Sequence, residues 1–79
     1  MKDSYYIFST GNLTQKDNTI RFTAVDGTVK DLPIENVNEI YLMSETNVTT
    51  KLLGLFSRHG ITVHFFNHYQ FYIGSFYPK

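Results

Sequence analysis

Hydrophobic and polar positions alternate through the first half of the chain and then change period once. Tyr5-Tyr6-Ile7-Phe8 is a β-prone run of aromatic and branched residues, closed by the turn-forming Ser9-Thr10-Gly11-Asn12. Leu13 to Gln15 predicts a brief return strand, with Lys16-Asp17-Asn18 as the next turn. Thr19 to Val25 then puts Ile20, Phe22 and Ala24 on one face and Thr19, Arg21 and Thr23 on the other, the pattern of a half-buried strand. Asp26-Gly27 leads into Thr28-Val29-Lys30-Asp31-Leu32. Asp-Gly between two such runs predicts a tight hairpin with φ > 0 at both central positions. Pro33 ends that strand or places it at a sheet edge. Glu35-Asn36-Val37 predicts a single turn, and Glu39 to Met43 a further strand.

From Thr49 the spacing becomes helical. Leu52, Leu53, Leu55 and Phe56 form one apolar stripe, with Asn47 or Thr49 available to cap the first turn. Arg58 and His59 complement the dipole at the far end, and Gly60 suits the left-handed closing position. A helix of about three turns packed on a sheet is expected. Ile61 to Phe66 returns to strand, Asn67-His68-Tyr69-Gln70 turns, and Phe71 to Tyr77 runs back. The expected fold class is therefore mainly β (α+β): six or seven short strands in two packed or twisted sheets with one short helix. The expected core is Ile7, Ile20, Phe22, Val29, Ile40, Leu42, Leu52, Leu55, Phe56, Ile61 and Val63.

A chain of 79 residues makes one domain. At this size roughly 60–65% of the unfolded surface is buried, enough for a core but with little reserve. With no cysteine, neither disulfides nor thiolate zinc can staple it. Seven Lys+Arg balance seven Asp+Glu, which argues against a freestanding electrostatic binder of nucleic acid. The apolar runs are too short for a membrane helix, and the first ten residues do not make a signal peptide, so a cytoplasmic domain with no membrane contact is expected. The N-x-Thr sequons at Asn12 and Asn47 then count as chance matches.

The aromatic content is the feature that composition alone does not explain. Thirteen rings occur, and seven lie between Phe65 and Tyr77. A core this small cannot enclose them all, so one face of the last hairpin is expected to meet a partner, through Phe66, Tyr69, Tyr72 and Phe76. Exposed rings with scattered cations can also stack on unpaired bases. Tyr5, Tyr6, Tyr69 and Tyr72 with Arg21 and Lys30 are the candidates, Arg21 and Lys30 being the expected DNA contacts. The remaining chemistry is sparse. His59, His64 and His68 show no ligand spacing and no neighbouring carboxylate in sequence, and Glu35 and Glu39 straddle a turn. No nucleophile elbow or phosphate-cradling loop occurs. No catalytic or metal residue is expected in these 79 positions.

Three stretches together carry a family resemblance. They are YYIFSTGNLTQKDNTIRF, LPIENVNEIYLM and TTKLLGLFSRHGITVHFFNHYQFYIGSFYPK. Within them, P-x-E-x-V-x-E-I-Y-L, T-K-L-L and G-I-x-V-H-F-F-N leading into G-S-F-Y-P form the specific combination. The chain resembles, over essentially its whole length, the N-terminal domain of the CRISPR-associated integrase-nuclease, in the variant found with type I systems. That resemblance implies an adaptation-module protein that inserts new spacers into CRISPR arrays. It implies a metal-dependent DNA endonuclease and integrase using Mg2+ or Mn2+, with the second-numbered Cas protein as small partner and double-stranded DNA as substrate. It also implies that residues 1–79 form a β-rich homodimerisation domain, and that the metal-binding Glu, His and Asp belong to a helical domain absent from this chain. None of those ligands maps onto His59, His64, His68, Glu35, Glu39 or Glu45. The fragment alone is expected to be inactive as a nuclease. The alternatives are a module that contacts DNA ends and a standalone interaction domain.

Overall fold

The computed structural model describes residues 2–78. Eight strands and one α-helix follow in the order β1 (Asp3–Ile7), β2 (Gly11–Lys16), β3 (Thr19–Ala24), β4 (Val29–Pro33), a 3-10 turn (Ile34–Asn36), β5 (Val37–Leu42), β6 (Thr46–Asn47), α1 (Thr50–Arg58), β7 (Thr62–Phe66) and β8 (Tyr72–Phe76). They form two four-stranded sheets, β1-β5-β7-β8 and β4-β3-β2-β6. The fold is mainly β with a single helix, as the periodicity indicates. The strand beyond the expected six or seven is β6, two residues pairing in parallel with Gly11 and Asn12 of β2. Two residues are too few to leave a periodic signature.

Local chemistry accounts for the hairpins. β2 and β3 pair antiparallel around a two-residue turn at Asp17-Asn18, where Asp17 takes φ 55. The expected tight Asp-Gly turn is looser in the structure. β3 stops at Ala24 and β4 starts at Val29, and only Gly27 has positive φ, at 94. The Asp26 carboxylate accepts the Thr28 N–H at 2.9 Å and fixes this four-residue loop.

The helix begins and ends where its caps dictate. Thr49 is the N-cap, its hydroxyl oxygen accepting the Leu52 N–H at 3.2 Å. At the other end Gly60 takes φ 68, the Ile61 N–H donates to the Phe56 carbonyl and the Gly60 N–H to the Ser57 carbonyl. That pair of bonds is a Schellman closure. It reverses the chain into β7, so that β5, α1 and β7 form a crossover with β5 and β7 parallel.

The core lies between the sheets and under the helix. It gathers Ile7, Leu13, Ile20, Phe22, Ala24, Leu32, Ile34, Val37, Ile40, Leu42, Leu52, Leu55, Phe56, Ile61 and Val63. Val29, an expected core residue, is instead half exposed at 50%. Lys30 and Leu32 lie opposite Phe22 and Ile20 on the inner face, which turns Val29 and Asp31 outward on an edge strand.

Gly11 shows how closely the sheets are packed. A Cβ there would fall 2.2 Å from the Thr23 carbonyl oxygen and 2.9 Å from the Phe22 ring. Gly11→Ala should therefore cost about 2 kcal/mol through forced backbone displacement, measured as a lower urea midpoint. An unchanged midpoint would show that β2 shifts freely, contrary to this packing.

Candidate functional site: the outer face of sheet one

Register builds this site, because its residues are far apart in sequence. Tyr6 of β1 lies opposite Tyr41 of β5, Tyr41 opposite His64 of β7, and His64 opposite Ser75 of β8. All four side chains share the face turned away from the core. The Tyr6 and Tyr41 rings stack at 4.5 Å between centroids, and Tyr41 stacks on His64 at 4.6 Å. Tyr77 meets His64 edge-on at 6.3 Å, and Phe8 extends the row beyond Tyr6. Such offset and edge contacts stabilise aromatic pairs beyond the area they bury.

A polar chain runs across this row. His64 Nε2 lies 2.8 Å from Glu39 Oε2, and His64 Nδ1 lies 2.7 Å from Ser75 Oγ. Ser75 Oγ is bonded in turn to the Tyr72 hydroxyl. The Tyr41 hydroxyl approaches the same Glu39 oxygen at 3.4 Å. The hydrogen bond from His64 holds the Glu39 carboxyl below the usual carboxylate range. Desolvation, followed by the Glu39 charge, raises the Tyr41 phenol. The expectation that His64 has no carboxylate neighbour holds along the sequence but not in space, since parallel pairing of β5 with β7 brings Glu39 to it. His68, in the last turn, lies 3.2 Å from Glu45. Among the described residues no group of three or more His, Cys, Asp or Glu side chains could hold a metal ion.

The hairpin aromatics divide between two faces. The β7–β8 register slips so that Phe65 pairs with Gly74 and Phe66 with Tyr72, leaving Ile73 as the extra residue of a bulge. Strict alternation would put Tyr72 on one face with Phe76. The bulge instead moves Tyr72 to the face of His64 and Ser75, where it meets Phe66 edge-on at 5.5 Å. Phe76 pairs with Val63 and packs against the core. Of the four expected interface rings, Phe66 and Tyr72 thus lie together on the outer face. Tyr69 is 70% exposed at the turn and Phe76 points inward. The turn is held by Asn67, whose side-chain oxygen accepts from the Tyr69 and Phe71 N–H groups, and by Gln70 at φ 66.

The two expected DNA contacts are not brought together. Arg21 makes a two-pronged bond to Asp31, at 2.8 and 3.0 Å, on the outside of the second sheet. That pairing lowers the Asp31 carboxyl and raises the Arg21 guanidinium. Lys30 leans the other way, its ammonium 5.8 Å from the centre of the Tyr5 ring.

A two-sheet β domain built round one β–α–β crossover is the class that this fold defines, and comparison with known proteins narrows it. Residues 5–79 match the family model described as CRISPR associated protein Cas1. The chain is 49% identical over its whole length to the CRISPR-associated endonuclease Cas1 of Fusobacterium nucleatum, and 40% identical to that of Clostridium perfringens. It spans 23% and 24% of those two relatives, about a quarter of their length. A solved Cas1 protein from Thermotoga maritima superposes with a TM-score of 0.89 at 39% identity, over 98% of this chain and 24% of that one. A Cas1–DNA complex matches at TM-score 0.80 and 14% identity, which shows the shared fold alone; 98% of this chain and 29% of that one are covered. The chain belongs to the Cas1 family, and what it covers is the N-terminal region.

Because the Glu39 carboxyl is held low in the folded state, its ionised form stabilises the fold above the ordinary carboxylate range. That contribution is lost as pH falls through the lowered folded value. Thermal unfolding from pH 6 to pH 2.5 should therefore show a smaller acid loss in Glu39→Gln than in the wild type. Parallel curves would mean that the His64–Glu39 bond contributes nothing to folding.

Proposed function

We propose that this chain is the dimerising and positioning domain of a spacer-integrating, metal-dependent DNA endonuclease that works in the cytoplasm. The domain joins two copies so that active sites borne elsewhere in the whole protein face one DNA substrate. In this reading Mg2+ or Mn2+ is held outside residues 1–79, and the small Cas2 protein and double-stranded DNA are partners of the whole protein. Family membership supports that frame. A partial Cas6-RT-Cas1–Cas2 complex also shares the fold, at TM-score 0.84 and 14% identity over 100% of this chain and 24% of that one.

The observation that carries the dimer reading is the character of the β8 edge. Exposed sheet edges are templates for pairing unless they are blunted. Of the four edge strands, β4 carries Lys30, Asp31 and Pro33, β1 carries Asp3, and β6 is two residues long. β8 is five residues long and has a bulge at Ile73 but neither a charge nor a proline, and no charged residue occurs from Tyr69 to Tyr77. Five of the nine exposed large hydrophobics of the described residues fall in that stretch: Tyr69, Phe71, Tyr72, Ile73 and Tyr77. An uncharged edge is self-complementary, since two copies related by a twofold axis bring no like charges together. The alternative of a DNA-contacting module has less support, because Arg21 is already paired with Asp31.

Ile73→Lys, which places a charge at the exposed bulge, should convert a concentration-dependent dimer into a monomer while leaving the unfolding free energy of the monomer within about 0.5 kcal/mol of wild type. Sedimentation velocity over a hundredfold concentration range measures this. Unaltered dimerisation by the variant would remove β8 from the interface. Salt-dependent DNA binding by a monomeric wild type would favour the DNA-contacting module instead.

A further inference from the structure

The Glu39–His64–Ser75–Tyr72 chain has a direction, and the protonation of His64 reverses part of it. An ionised carboxylate only accepts hydrogen bonds, so Nε2 of a neutral His64 must carry the proton it shares with Glu39 Oε2 at 2.8 Å. Nδ1 is then a bare acceptor, and the Ser75 hydroxyl donates to it at 2.7 Å. With its own proton committed, Ser75 Oγ accepts from the Tyr72 phenol. Every donor in the row points inward, and the Tyr72 oxygen offers only lone pairs to its surroundings.

Taking a proton from solvent onto Nδ1 turns that nitrogen into a donor. Ser75 must then accept from His64, which releases the Ser75 proton; donated to the Tyr72 oxygen, it frees the Tyr72 O–H to point outward. The charge changes at the same time. A neutral imidazole leaves the Glu39 carboxylate uncompensated on the face whose rim is Tyr72, and a second copy paired along β8 that reaches over this rim desolvates a net charge. An imidazolium pairs with the carboxylate and leaves the face neutral.

We propose that His64 is a proton-controlled hub that sets the direction of the Tyr72 hydroxyl, so that two copies of this chain associate more tightly when the imidazole is protonated. The proposal rests on the dimer reading above, because Tyr72 belongs both to this chain of bonds and to the bare β8 edge. The titratable groups around His64 are few. Glu39 and Tyr41 face it from β5, and Tyr72 and Tyr77 from β8 and its end. Tyr6 of β1 stands behind Tyr41. Glu39 is the only charged partner of His64 among the ion pairs of the described residues.

Two measurements on the 79-residue chain test the proposal between pH 5 and pH 8.5, where imidazoles change charge. In isotope-edited NMR, the Tyr72 ring signals should move with the same midpoint as the His64 imidazole signals. Ser75→Ala should uncouple them while the His64 titration persists. In sedimentation equilibrium, the association constant should rise at least about threefold from pH 8 to pH 6. His64→Gln should remove most of that rise, whereas His68→Gln should leave it in place. A Tyr72 that ignores His64 overturns the relay, and so does His64→Gln keeping the wild-type pH response. A dimer whose constant does not move with pH overturns the switch alone. A chain that stays monomeric at every pH overturns the dimer reading and the switch with it.

Discussion

Parallel pairing of β5 with β7 is the constraint on which the rest of the domain depends. It is imposed by the helix between them: Thr49 starts α1, and the Gly60 closure turns the chain so that β7 must run alongside β5. Parallel strands need such a crossover, whereas antiparallel ones need only a turn. Once the register is set, Ile40 and Val63 meet in the core while Tyr41 and His64 stack on the outside. The same few hydrogen bonds therefore fix both the core and the outer face.

The β8 bulge is the second determinant, because it decides which rings of the last hairpin face outward. One extra residue at Ile73 places Tyr72 and Ser75 on the same face although they are three apart in sequence. It also leaves Phe76 to cover the core. A hairpin without that slip would present different rings to a neighbour and would break the contact from Ser75 to the Tyr72 phenol. Bulges of this kind re-aim side chains near functional surfaces.

Elements that rest on local chemistry were legible in the sequence, and those that rest on distant pairing were not. The helix, its Thr49 cap and Gly60 closure, the half-buried β3 and the aromatic last hairpin all carry their signals within a few residues. Residue-type patterning likewise identified most of the core, missing Leu13, Ala24, Leu32, Ile34 and Val37 and misplacing Val29. The Glu39–His64 contact spans 25 residues and needs the β5–β7 register, which no local pattern encodes. The family resemblance stood on combined motifs across the whole chain, and the family match over residues 5–79 agrees with it. Of the expected site residues, Phe66 and Tyr72 are placed on one face, Phe76 is withdrawn from it, and Arg21 is committed to Asp31.

We propose that two copies meet along β8. The most direct measurement is an intermolecular NOE experiment on a mixture of isotope-labelled and unlabelled chains at a concentration where the complex predominates. Pairing along β8 should give cross-peaks between copies from Phe71, Tyr72 and Ile73, with amide protection along the outer edge of that strand. Intermolecular contacts confined to β1, β4 or β6, with a β8 edge that stays open to solvent, would contradict it.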